Sequence, residues 1–275
     1  MTPITPRVLG IDWSQEVQRH WNGGNAAATH AFNALSLLFP DGERYFVEVA
    51  REVARAATLD KELAQAVDTF IAQESIHGQQ HQHYNSRLRE QGFDNVVDQF
   101  VLRWQALSRR HFSPLSRLAV VCAYEHYTAI LGDYILRHPQ ALASAQPEMA
   151  LIWGWHSAEE TEHKAVCFDL YKAADGGWTL LALMFVLVSL NFGLMFGRLY
   201  VSLLHRDGCL QRSRLIATGV QAMRFFFGRT GVGWHLLVYG CRYLRPGFHP
   251  WEIDNRQALS AWIKDNQSKL RTVGT

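Results

Sequence analysis

The amino-acid sequence predicts an all-α protein, a helical bundle with an apolar helical appendage at its C-terminal end. Three observations lead to this fold class. Apolar residues recur at intervals of three and four along most of the chain, which is the helical period. Segments with strand character are scarce. Two Glu-x-x-His pairs, Glu74/His77 and Glu160/His163, lie within apolar helical stripes.

Length and composition are those of a globular protein. The 275 residues can form one large domain, or a core domain with an appendage. The net charge of +2 favours no class of partner. Four cysteines without a C-x-x-C motif argue against a disulfide framework or a thiolate zinc site, and they fit a reducing cytoplasm. The first residues lack the pattern of a signal peptide, so we expect a cytoplasmic protein.

Capping residues, glycines and prolines divide the helical pattern into segments. Asn25 suits the N-cap of a first helix that we expect Pro40 to end, and Asp41 suits the cap of the next one. The predicted helices cover residues 25–39, 42–57, 60–90, 95–110, 115–137 and 147–174. The second, third, fifth and sixth are the principal helices, with a long crossing segment between the middle two. This order predicts a ferritin-like four-helix bundle with an extra N-terminal helix.

The two Glu-x-x-His pairs predict a dinuclear metal site. Residues three apart on a helix project to the same side, so Glu74 and His77 point together into the core, as do Glu160 and His163. A buried carboxylate or imidazole costs several kcal/mol unless a partner compensates it. Two metal ions would compensate all four groups at once.

The other two principal helices each offer one carboxylate near the apolar stripe. Glu43 lies closer to its stripe than Glu48, which we expect to face water. The alternative for Glu43 is an acid favoured by a helix N-terminus. Glu125 lies on its stripe, and its alternative is a buried salt bridge with Arg117.

Further polar residues share the stripe of the last principal helix. His156 is four residues before Glu160, and we predict that it is a seventh metal ligand, the alternative being a core histidine. His81 has the same phase as Glu74 but lies two turns away, so we expect it to support the ligands or to face the substrate. Glu159 and Glu162 face solvent or support the imidazoles by hydrogen bonds.

Several long motifs resemble a known bacterial family. They are WNGGNAAATHAFNALSLLFPDGERYF, QESIHGQQHQHYN, AYEHYTAIL and WHSAEETEHKAVCFDLY. These segments are similar to the family of predicted metal-dependent hydrolases over about residues 20–175, and weakly at PGFHPWEID. The ligand pattern is also similar to that of the di-iron arylamine N-oxygenases, which have a ferritin-like fold and the same added histidine. We therefore expect a ferritin-like, dinuclear metal-binding helical domain at 20–175, and the composition of the rest of the chain predicts an apolar and basic helical region at 176–275.

A site rich in carboxylates, with two or three imidazoles, suits iron, with manganese or zinc as alternatives. Two iron ions could activate O2 to oxidise a small organic substrate, with electrons from an unidentified donor. A redox-inert pair could instead activate water for hydrolysis, as the family name suggests. We favour oxidation because a site inside a helical bundle is dry. A metal-storage protein has no use for the apolar C-terminal segment.

The C-terminal region predicts contact with a membrane or burial against the bundle. Residues 178–197 are 20 uncharged, mostly apolar residues, enough to cross a bilayer. Between Arg198 and His249 there are eight arginines and one acid, Asp207. Arginine-rich segments next to a membrane span tend to lie in the cytoplasm, so a single crossing would leave the metal domain outside the cell. Peripheral or monotopic association with an anionic inner membrane surface fits better. Its corollary is a lipophilic substrate. The arginines alternate with apolar runs, which disfavours nucleic-acid binding.

Overall fold

Residues 4–273, the part that this computed structural model describes, are mostly helical, which confirms the all-α prediction. Two short antiparallel strands join the ends of the chain, β1 (Arg7–Leu9) and β2 (Leu270–Thr272), with Val8 opposite Arg271. The helices are α1 (Ala26–Ala56), α2 (Lys61–Glu90), α3 (Asp98–His111), α4 (Pro114–Arg137), α5 (Pro147–His163), α6 (Val166–Ala173), α7 (Trp178–Arg206), α8 (Arg212–Phe227), α9 (Val232–Arg242) and α10 (Arg256–Asn266).

Helix α1 runs without interruption through Pro40, so the prediction that one helix ends there and another begins at Asp41 is wrong. The expected extra N-terminal helix is the first half of α1. Its start was predicted correctly, because the Asn25 side chain accepts a hydrogen bond from the Ala28 amide at 3.0 Å. The expected single helix over 147–174 is interrupted at Lys164 and Ala165, which separate α5 from α6.

Side chains from outside α1 explain why the helix tolerates its proline. Proline has no N–H, so the carbonyl of Ser36, four residues earlier, loses its helical donor. The Asn85 side-chain amide donates to this carbonyl at 2.8 Å. The Asn95 amide donates to the carbonyl of Leu37 at 2.9 Å. The Asn85 hydrogen bond therefore replaces the one that the proline removes, and the Asn95 hydrogen bond supports the next carbonyl.

Helices α1, α2, α4 and α5 surround a polar cluster that separates two apolar cores. One core contains Phe46 and Phe70, and the other contains Phe39 and Tyr84. The cluster lies between them because its residues fall between these aromatic residues on α1 and on α2. Helix α3 packs against α1.

Helices α7, α8 and α9 form a layer over the bundle. α7 packs on α1 and α4, α8 packs on α1, and α9 packs on α4. Within residues 4–273, α7 is the helix that is long and apolar enough to cross a membrane, and only 28% of its most apolar window is buried. Its buried residues nevertheless extend from Leu181 to Leu204. One side of α7 is therefore packed on the bundle along nearly its whole length.

Replacing Asn85 by alanine should lower the free energy of unfolding by about 1–3 kcal/mol, because it leaves the buried Ser36 carbonyl without a donor. In a Pro40→Ala background the helix regains an N–H for that carbonyl. The loss caused by Asn85→Ala should then be smaller by about 1 kcal/mol. Chemical denaturation of the four proteins measures this coupling. Additive effects would show that Asn85 does not compensate for the proline.

Candidate metal centre

Four helices bring the seven predicted ligand side chains into one buried cluster. One residue comes from α1, two from α2, one from α4 and three from α5. Each is at most 4% exposed: Glu43, Glu74, His77, Glu125, His156, Glu160 and His163. The phase of the apolar stripes thus located side chains that meet in space, although they are up to 120 residues apart in sequence.

The cluster has two halves that share Glu74 and Glu160. In one half, single ligand atoms of Glu43, His77 and His156 lie within 4.8 Å of one another. In the other half, the same holds for Glu74, Glu125 and His163. These two halves could each hold a cation.

The two shared carboxylates contact both halves directly. Glu74 Oε1 lies 3.3 Å from His77 Nδ1 and 3.3 Å from His163 Nε2. Glu160 lies 3.0 Å from His156 Nε2 and 3.3 Å from His163 Nε2 through its two oxygens. Such an arrangement suits two cations side by side, with two carboxylates between them.

Each imidazole uses its outer nitrogen for a hydrogen bond and turns the other nitrogen towards the carboxylates. His77 Nε2 donates to Glu159 Oε2 at 3.1 Å. His163 Nδ1 donates to Gln73 Oε1 at 2.9 Å. His156 Nδ1 donates to His81 Nε2 at 3.0 Å. These bonds fix the orientation and tautomer that a histidine ligand needs.

Seven of the inward atoms fit metal ions because they have no hydrogen-bond partner among the described residues. This set comprises both oxygens of Glu43 and of Glu74, Glu125 Oε1, His77 Nδ1 and His156 Nε2. Buried acceptors without a donor are rare in folded proteins, and each costs free energy. A cation satisfies several acceptors at once, whereas a water molecule offers only two donors.

The charges of the cluster also suit a cation. Burial, and then the nearby Glu74 carboxylate, raise the pKa of Glu43 well above 4.5. Burial and the Glu160 carboxylate do the same to the pKa of Glu125. Burial opposes charge on His77, but Glu159 and Glu74 outweigh it and raise the pKa of its imidazole. Without metal, these groups therefore keep their protons to higher pH than the free side chains do.

Supporting residues connect the cluster to Arg7, which the sequence did not single out. Its guanidinium donates to Glu162 at 2.8 and 3.0 Å and lies 3.5 Å from Glu159. Glu162 also accepts from the Gln73 amide at 3.0 Å, and Gln73 is the partner of His163. Arg7 thus compensates the negative charges of Glu159 and Glu162, the two acids that support the imidazoles directly or through Gln73. Glu159 and Glu162 are buried, so the expectation that they could face solvent is wrong.

His81 is also a supporting residue and not a member of the ligand groups. It is fully buried, and its Nδ1 donates to Ser36 Oγ at 2.8 Å. Ser36 in turn donates to Asn85 Oδ1 at 2.7 Å. Burial lowers the pKa of His81 well below its usual value, so the ring stays neutral and its Nε2 accepts the hydrogen bond from His156 Nδ1.

Two alternative interpretations are excluded by the structure. Arg117 donates to Glu52 at 2.6 Å, so it is not the partner of Glu125. Glu43 lies in the middle of α1 and cannot stabilise a helix N-terminus. Glu48 is 41% exposed and pairs with Arg109 at 2.7 Å, in agreement with a solvent-facing position.

An apolar cavity of about 140 Å³ adjoins the cluster. Glu43, Gln105, Thr128 and Glu160 contribute polar side chains to its wall, and the Thr128 hydroxyl donates to Glu160 Oε2 at 2.6 Å. The rest of the wall is largely apolar and comes from α1, α3, α4, α7, α8 and the start of α9. A space of this size holds a benzene ring or a short alkyl segment.

A second group of polar side chains surrounds Asp207. His30 and His20 contact Asp207 Oδ2 at 3.0 and 2.5 Å, and Arg19 pairs with its other oxygen. The Cys209 thiol donates to the same carboxylate at 3.2 Å. Both oxygens of the Asp207 carboxylate therefore accept hydrogen bonds. The Glu43 and Glu74 carboxylates of the seven-residue cluster accept none from the described residues. The group is an ion-pair network that joins the N-terminal segment to the end of α7.

The comparisons with known proteins identify a family. The model of the family described as predicted metal-dependent hydrolase matches residues 5–254, in agreement with the resemblance of the sequence motifs. No curated protein and no solved structure matches the chain significantly.

Metal uptake should release protons, because the raised pKa values of Glu43, Glu125 and His77 let these groups hold protons to higher pH in the metal-free protein. The apparent affinity for metal should therefore rise with pH. Calorimetric titration in buffers of different ionisation enthalpy measures the number of protons released. A Glu43→Gln variant should release fewer. Uptake without proton release would contradict the protonation states described above.

Proposed function

The chain belongs to the family of predicted metal-dependent hydrolases, and we propose that it is a dinuclear metalloenzyme that acts on a lipophilic substrate. The observation that carries this proposal is a cluster of seven buried side chains, five of which have inward atoms without a hydrogen-bond partner among residues 4–273. Carboxylates with three imidazoles suit iron, and manganese or zinc are alternatives.

The distances support a role for each ligand. Glu43, His77 and His156 would hold one metal ion, and Glu125 and His163 the other. Glu74 and Glu160 would bridge them, since each contacts nitrogens of both halves. When bound, such a pair supplies Lewis acidity and, if it is iron, redox chemistry.

The residues of the chain provide the environment for the reaction. The apolar cavity binds the substrate and excludes water beside Glu43 and Glu160. The Thr128 hydroxyl fixes one oxygen of Glu160. Glu43 has no such donor among the described residues. A Cβ at Gly78 would lie 3.4 Å from Glu43 Oε2, so the glycine leaves this carboxylate room to move.

Hydrolysis is the reaction that the family description favours, and we propose it first. O2-dependent oxidation, which we favoured from the sequence, is the second candidate. The cavity supports it because few polar groups line the wall to bind a scissile ester or amide, whereas oxidation of an alkyl or aryl group needs no such donors. This second reaction would also require an electron donor.

The purified protein should contain close to two metal ions per chain after expression with iron. Glu74→Ala or Glu160→Ala should abolish that stoichiometry, because each removes a carboxylate shared by both halves. Elemental analysis measures the metal content, and circular dichroism checks the fold. Glu48→Ala, at an exposed position on α1, is the matched control and should keep both ions. A wild-type protein without metal would refute the dinuclear site.

The reaction class can be decided with two metal forms of the same protein. We expect the zinc or manganese form to hydrolyse p-nitrophenyl hexanoate faster than the acetate ester, since the cavity accommodates a short alkyl chain. We also expect the reduced iron form to consume no more O2 than a Glu160→Ala control. O2 consumption by the wild type together with absence of esterase activity would select the oxidation instead.

A further inference from the structure

The outer side of α7 is apolar, although it faces away from the bundle. Leu183, Leu190, Leu194 and Val201 are 53–71% exposed. Their spacing places them on one side of the helix, opposite the buried residues. This outer stripe extends over about 27 Å at 1.5 Å per residue. A contiguous exposed apolar surface of this kind marks a site of interaction.

Helices α8 and α9 expose a second apolar stripe. On α8 it contains Ile216, which is 81% exposed, and Met223, which is 61% exposed. On α9 it contains Trp234 and Val238, which are 54% and 56% exposed. The two parts meet where the rings of Phe227 and Trp234 lie 5.4 Å apart. We refer to the outer residues of α7, α8 and α9 together as the outer face.

The charged residues around the outer face are almost all positive. The eight arginines between residues 198 and 249 are all exposed. The one acid in this region, Asp207, is buried and paired with Arg19. Six of the arginines form no ion pair with any residue in 4–273, namely Arg198, Arg212, Arg214, Arg224, Arg229 and Arg242. They are available to an anionic partner.

We propose that the outer face binds the surface of an anionic lipid bilayer and that the protein is a monotopic membrane protein. Exposed apolar stripes with neighbouring arginines are the chemistry that inserts into the boundary between lipid headgroups and chains. A transmembrane arrangement of α7 is disfavoured, since its inner side packs on α1 and α4 from Leu181 to Leu204.

A second copy of the chain is a less suitable occupant. In a two-fold symmetric dimer the same surface meets itself. The outer face would then bring exposed arginines towards one another with no exposed acid between residues 198 and 249 to compensate them. A bilayer with anionic headgroups offers both the apolar interior and the opposite charge.

The outer face and the cavity are two sides of the same three helices. Phe192 and Phe196 of α7, Phe225 and Phe226 of α8, and Leu236 of α9 line the cavity. An acyl-chain substrate dissolved in the bilayer would therefore be separated from the cluster by one layer of helices. The inference that a substrate reaches the cluster from the bilayer rests on the proposed function, whereas membrane binding does not.

Flotation with vesicles tests membrane binding by the intact, metal-loaded protein. It should float with mixed phosphatidylcholine–phosphatidylglycerol vesicles, and less with phosphatidylcholine alone or at high salt. Arg212→Gln/Arg224→Gln should weaken binding about 25-fold, from about fivefold for each arginine. Leu190→Ser/Ile216→Ser should weaken it about tenfold or more. All these positions are exposed, so the variants should fold and keep their metal.

Matched controls lie on α1 and α3. Arg51→Gln/Arg55→Gln removes two exposed arginines, and Leu107→Ser removes a leucine that is 53% exposed. Both should bind vesicles like the wild type. Cys241, the exposed cysteine among the described residues, lies one helical turn after Leu237 on α9. A polarity-sensitive fluorophore attached there should shift to shorter wavelength with anionic vesicles.

Three results would overturn the proposal. The first is that the wild type does not float with anionic vesicles. The second is that the control variants lose as much binding as the outer-face variants. The third is that the emission of the fluorophore does not shift when anionic vesicles are added. A detergent-free dimer that Leu190→Ser/Ile216→Ser dissociates, in a protein that binds no vesicles, would assign the outer face to a second copy. The metal content of the wild type, measured separately, would still test the dinuclear site.

Discussion

The burial of four carboxylates and three imidazoles at one point is the constraint on which the rest of the structure depends. Isolated charges at that depth would cost several kcal/mol each, and the cost falls only when partners of opposite charge are equally close. In this protein the outward nitrogens of the imidazoles have hydrogen-bond partners, one of them the Glu159 carboxylate, while seven of the inward atoms have none among the described residues. The inward acceptors without donors are the physical reason to expect cations there. The hydrogen bonds of the outward nitrogens are the reason that the imidazoles can hold one orientation.

The residues that compensate the buried charges of the cluster include segments at both ends of the chain. Arg7 lies on β1 and β1 pairs with β2, so the C-terminal strand fixes the residue that compensates Glu159 and Glu162. Removing one partner of a buried ion pair is more destabilising than the pair is stabilising. The short sheet is therefore part of the support of the cluster, although it lies far from the ligands in sequence and contains only three residues per strand.

Local spacing was sufficient to locate the cluster, because helical phase determines which side of a helix a residue occupies. Glu43, Glu125 and His156 were selected on this basis, and they lie beside the Glu-x-x-His pairs; that they bind metal stays a prediction. Sequence reasoning failed where long-range contacts decide. Pro40 looked like a helix end because its compensating donor, Asn85, belongs to another helix. Arg7 gave no signal, since its role depends on a strand pairing between residues more than 260 positions apart.

The surroundings of the cluster are asymmetric, and this asymmetry indicates how a substrate approaches. The partners of the imidazoles, Glu159, Gln73 and His81, lie outside the cavity wall, on sides that hydrogen bonds close. The cavity reaches Glu43 and Glu160 instead, so the open side of the cluster is also its apolar side. A polar substrate entering there would lose its hydration without gaining hydrogen bonds, which is unfavourable. An alkyl or aryl group has no such cost, and the helices that wall its path are those that carry the exposed apolar stripes.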